Sequence, residues 1–131
     1  MEGDFFMEKY IIVTTLCKDK KVAETICDTL LNKHLVAGCQ VSKVDSKYWW
    51  NGNLELAHEY KLEFRTVGSF YDLVRDEIAS LHDYEVPEIS AIEFRDANDE
   101  FIAWIDENTT ESYEGEEEEE SEYEEEDFGL I

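Results

Sequence analysis

The apolar positions of the chain change period several times, and each change marks an element. Residues 9–16, "KYIIVTTL", are β-branched and aromatic and predict a buried strand. In residues 19–34, "DKKVAETICDTLLNKH", Val22, Ala23, Ile26 and Leu30 recur at helical spacing, with Lys18, Lys20 and Lys21 outward. Asp19 stands where an N-cap is needed, and Lys33 and His34 suit the negative end of the helix dipole. Residues 35–50 mix β-formers with small residues. The "NGN" at 51–53 then predicts a tight hairpin, because Asn-Gly accepts positive φ. Residues 54–66 alternate, with Leu54, Leu56, His58, Tyr60, Leu62 and Phe64 on one face. Residues 69–82 return to helical spacing through Phe70, Leu73, Val74, Ile78 and Leu81, with Ser69 as the expected cap. Pro87 is the only proline and is expected to stop that helix. Residues 88–95 read as a fourth strand. Residues 98–108 read as a short helix carrying Phe101, Ile102, Trp104 and Ile105.

The order β-α-β-β-α-β plus a helix is the α+β, ferredoxin-like plan: a four-stranded antiparallel sheet with two helices on one face. The second and third strands are longer than a domain of this size usually needs. Tyr48, Trp49 and Trp50 sit at their junction. Both features predict an extended hairpin that projects beyond the core and is covered by another subunit.

Charge divides the chain further. The 131 residues carry a formal −23, and the stretch from Glu111 to Asp127 holds twelve carboxylates and no Lys or Arg. Residues 111–131 therefore read as an acidic disordered tail that solvates the protein or attracts cations weakly. Residues 1–8 read as an N-terminal extension, and 9–110 as the one folded domain. The first 110 residues still carry 22 acids against 11 bases, which argues against nucleic acid as a partner. No apolar run reaches the ~18–20 residues of a membrane span. Three cysteines, Cys17, Cys27 and Cys39, with no secretion signal, imply reduced thiols and a cytoplasmic location. No phosphate-cradling glycine loop, nucleophile elbow or HExxH motif is present, so no enzyme is expected.

Four blocks together resemble the CutA family of divalent-cation-tolerance proteins: "VAETICDTLLNKHLVAGCQV", "YWWNG", "HDYEVPEISAIEF" and "NDEFIAWI". The likeness runs from about Tyr10 to Asn108, and the third block is its most specific part. It implies a tight homotrimer, a shape relationship to PII signalling trimers, and a link to copper and other divalent metals without an established reaction. The chain departs from the family pattern at Asp83, where proline is usual, and at Asn53 and Arg65, where lysine is common.

The resemblance turns attention to particular side chains. His82 is either a histidine suited to a helix C-terminus or a ligand for copper, with zinc as the alternative. Cys39 is either a small buried hydrophobe or a second ligand. The family likeness implies a cleft position for it. Some family members place a copper-binding cysteine near Cys17, and Cys27 reads as structural. Tyr48, Trp50, Arg65, Tyr84 and Glu88 are expected to line an inter-subunit cleft, with Arg65 pairing Glu88. That cleft offers an alternative function, a PII-like signalling or adaptor trimer holding a small anionic ligand or a partner protein.

Overall fold

The computed structural model describes residues 9–110; the expected N-terminal extension and acidic tail lie outside them. Strand β1 (Tyr10–Cys17) buries every second residue, Ile11, Val13, Thr15 and Cys17, as its composition predicts. Helix α1 (Lys20–Asn32) opens on Asp19, whose carboxylate accepts the Lys21 N–H at 2.9 Å. It buries Ala23, Ile26, Cys27 and Leu30. The helix stops before Lys33 and His34. His34 takes a positive φ of 57°, so these residues form the exit rather than a last turn.

Strands β2 (Gly38–Trp50) and β3 (Asn53–Val67) pair along their whole length. Asn51 and Gly52 turn between them with φ of 52° and 82°, the positive values the Asn-Gly pair predicts. After β3 a 3-10 turn (Gly68–Phe70) leads into helix α2 (Tyr71–Leu81). The expected Ser69 cap is not formed, because the turn moves the helix start to Tyr71 and leaves Phe70, without a capping side chain, at the N-cap. Strand β4 (Ile89–Glu93) and helix α3 (Asp99–Glu107) complete the described chain.

The four strands form one antiparallel sheet in the order β2-β3-β1-β4. Helices α1 and α2 cover the face presented by Val13, Phe64, Leu62 and Ile11. Helix α3 reaches the other face. Tyr10 donates its hydroxyl to Asp106 at 3.0 Å. The Trp104 indole also lies so close to Gly38 that a Cβ there would stand 2.8 Å from Cη2. Gly38 and its β3 partner Arg65 are thus under α3.

Strand β1 pairs with β3 only from Tyr60 to Val67. The part of β3 from Asn53 to Glu59 has β2 on one side and no described strand on the other. This is the projecting hairpin. Its apolar side chains are uncovered in the protomer: Trp49 is 72 % exposed, Leu56 69 % and Leu54 58 %.

Candidate metal centre and cleft

The last pair of β1 and β3 is Cys17 with Tyr60, where the covered sheet ends and the free hairpin begins. The chain leaving α2 arrives at the same place. Helix α2 ends at His82, whose backbone turns extended (φ −74°, ψ 151°) five residues ahead of Pro87. Proline therefore does not terminate the helix. The local contacts of His82 take that role. The Tyr84 N–H donates to His82 Nδ1 at 3.1 Å. His82 Nε2 lies 3.0 Å from Thr15 Oγ1, and Thr15 in turn donates to the Glu88 carbonyl at 2.7 Å.

These contacts fix the tautomer. Nδ1 is an acceptor, so the ring proton is on Nε2 and points toward β1. The imidazole is 1 % exposed. Burial lowers its pKa below the ordinary 6.5, with Asp83 opposing that fall. Cys17 Sγ is fully buried 3.8 Å from Nε2. Burial first, then the charge of Asp83, pushes its thiol up to about 12. Asp83 Oδ1 stands 3.3 Å from the opposite ring nitrogen, Nδ1.

Cys17, His82 and Asp83 thus bring three donor atoms within 4.8 Å of one another. Sulfur lies 3.8 Å from Nε2, and the Asp83 carboxylate lies 3.3 Å from Nδ1. An ion on Nε2 can share Cys17, and its bond lengths of ~2.3 Å to sulfur and ~2.0 Å to nitrogen would then subtend about 120° across the observed gap. Asp83 is placed to hold the Nδ1–H of that ligand, as carboxylates do for metal-bound histidines. Occupancy would require the ring proton to move to Nδ1 and the Tyr84 N–H to give up its acceptor.

Cys39 is not in this cluster. It pairs with Phe64 on the helix-covered side of the sheet, and its sulfur lies 2.8 Å from Cys27.

Next to the cluster, on the other face of the sheet, is a cavity of about 510 Å³. Tyr48, Trp50, Tyr84 and Glu88 line it, joined by Glu59 and Glu85. Glu59 is 6 % exposed and accepts the Tyr84 hydroxyl at 2.6 Å. Burial and this bond hold Tyr84 above its ordinary pKa.

Arg65 is absent from the cavity. It lies opposite Ile12 and Gly38, toward the far end of β3, and its Nη1 is buried with no hydrogen-bond partner among the described residues. The expected Arg65–Glu88 pair is therefore not made within the protomer. Glu88 accepts Ser90 Oγ at 2.8 Å instead.

Sequence reasoning passed over Thr15 and Glu59. Thr15 is two residues from Cys17 on the same strand face, which was a usable signal. Glu59 sits on the polar side of β3, and nothing local marks it as buried.

The sequence profile of the CutA1 divalent ion tolerance protein matches residues 11–108. The Archaeoglobus fulgidus divalent-cation tolerance protein CutA is 35 % identical over 101 residues, covering 77 % of this chain and 97 % of its own. The protein of the same name from Pyrococcus horikoshii is 32 % identical over 99 residues, covering 76 % and 97 %. The crystal structure of Pyrococcus horikoshii CutA1 superposes with a TM-score of 0.74 at 31 % identity, covering 77 % of this chain and 99 % of that one. A structure described as the periplasmic divalent cation tolerance protein CutA from Archaeoglobus fulgidus gives 0.74 at 32 % identity, covering 76 % and 97 %. The chain belongs to the CutA1 divalent ion tolerance family.

Proposed function

We propose that three copies of this chain assemble into a homotrimer that takes part in divalent-cation tolerance by binding copper, with zinc as the alternative, at Cys17 and His82. The observation that carries the reading is the 3.8 Å separation of Cys17 Sγ and His82 Nε2, which suits two ligands of one ion. Burial keeps the Cys17 thiol protonated, so any ion bound there must displace that proton, which favours a metal with strong thiolate affinity. Copper leads zinc in that order. The trimer reading rests on the exposed apolar residues of the hairpin, a patch that a soluble protomer seldom leaves open. Burial keeps the Cys17 thiol protonated beside His82, which favours reading the pair as metal ligands rather than as nucleophile and base. The three free thiols support a reducing, cytoplasmic location.

The small-anion alternative is not favoured. Glu59, Glu85 and Glu88 face the cavity, and Arg65, the expected cation, is elsewhere.

Calorimetric titration of the full chain with copper, and separately with zinc, tests the metal reading. Cys17→Ser and His82→Ala should each abolish the tightest binding phase while keeping any weak background from surface carboxylates. The tight phase should strengthen about tenfold per pH unit above neutrality, because one proton leaves the thiol. Equal isotherms for all three proteins would refute the assignment.

A further inference from the structure

The two remaining cysteines meet where α1 crosses the start of β2. Cys27 is 2 % exposed in the core, and Cys39 is half-buried on β2, the edge strand of the sheet. Their sulfurs are 2.8 Å apart. This spacing discriminates between two uses of a dithiol. Two thiolates on one ion, each with a bond of ~2.3 Å, stand about 3.8 Å apart at a tetrahedral angle, or farther at a wider one. A disulfide needs about 2.05 Å. The observed pair is already too close to embrace an ion and needs to close by less than ~1 Å to bond.

We propose that Cys27 and Cys39 form a redox-active dithiol that a hydroperoxide oxidises to an intramolecular disulfide. Cys39, the more accessible sulfur, is attacked first. Its thiolate displaces hydroxide from the peroxide oxygen and becomes a sulfenic acid. Cys27 is the resolving thiol. Its sulfur attacks the Cys39 sulfur, its proton passes to the departing oxygen, and water leaves. Two thiols and one hydrogen peroxide give one disulfide and two waters, with both electrons supplied by the sulfurs. The hydrogen bond to Cys39, and burial after it, keep the Cys27 thiol protonated, which suits a group that waits for the second step. Cys17, fully buried with its thiol near 12, is the built-in control.

The product would tie α1 to β2 across the Lys33–Ala37 connection. This proposal is independent of the metal reading, and the test is run on metal-free protein in a chelator.

The full chain is exposed to hydrogen peroxide, its remaining thiols are alkylated, and it is digested without reduction. The expected result is a loss of about 2 Da, one Cys27–Cys39 linked peptide pair and an alkylated Cys17. Cys27→Ser should instead accumulate a sulfenic acid on Cys39, trapped by dimedone, with no cross-link. Retention of all three thiols in the wild type, oxidation without the Cys27–Cys39 peptide pair, or a disulfide joining separate chains would each overturn the proposal.

Discussion

The two halves of β3 share one pattern and have opposite surroundings. From Tyr60 to Val67 the alternation puts Leu62, Phe64 and Thr66 in a core with no exposed surface. From Asn53 to Glu59 the same alternation continues through Leu54 and Leu56, yet these side chains are 58 % and 69 % exposed. Period two assigns side chains to a face and says nothing about what covers that face. In the first half the cover is α1 and α2. In the second no described helix of the protomer supplies one. The Cys17–His82 cluster sits at the seam between the halves, where β1 gives out as a neighbour of β3.

Substitutions and a change of pH sharpen the contrast. Phe64→Ala should show the largest effect, about 3–5 kcal/mol of lost stability by urea unfolding, because it empties a site enclosed by the protomer's own helices. Leu56→Ala should leave the fold of the separated protomer within about 0.5 kcal/mol of the parent. Combined with Trp49→Ala, it should weaken assembly, read as a shift toward smaller species in sedimentation at micromolar concentration. Equal losses of protomer stability in both halves would erase the distinction.

At the seam, Thr15→Val should cost about 1–3 kcal/mol, since it removes the hydroxyl between His82 Nε2 and the Glu88 carbonyl while keeping the shape. Thr15→Ser should recover most of that loss.

The pH dependence isolates two groups at the same seam. His82 has a folded pKa below 6.5, so its contribution to stability is complete above that value and is lost as pH falls through the folded pKa. Cys17 behaves in the opposite sense. Its folded pKa is raised from 9.0 to about 12, so stability is complete below about 9 and declines as pH climbs toward 12. Denaturant midpoints across pH 5–11 should show a plateau between these limits. His82→Gln should flatten the acidic side and Cys17→Ala should reduce the alkaline fall. An unchanged profile in both variants would separate these groups from stability.

What was legible in the sequence was local. Asp19 caps its helix through a carboxylate two residues from its partner, and Asn51-Gly52 turns with the angles its residues favour. The strand and helix order follows from period, and the β2–β3 pairing from the tight turn between them. The misplacements share a cause. The end of α2 was read to within a residue, at Leu81, while the contacts of its capping residue were not, because His82 meets Thr15 67 residues away. Arg65 was expected to pair with Glu88 because a buried carboxylate needs a partner, while its register with Gly38 puts it under α3 within the protomer. Cys39 was given a cleft position by likeness, while its register with Phe64 turns it toward α1 and Cys27. Register decides these contacts, and register emerges only when the strands are paired.

The central claim is that the uncovered half of the hairpin is closed by other copies of the same chain. Light scattering coupled to size exclusion on the wild-type chain at micromolar concentration tests it directly. The account predicts a single species at about three times the 15.4 kDa of one chain. A species of one chain's mass under the same conditions would contradict it.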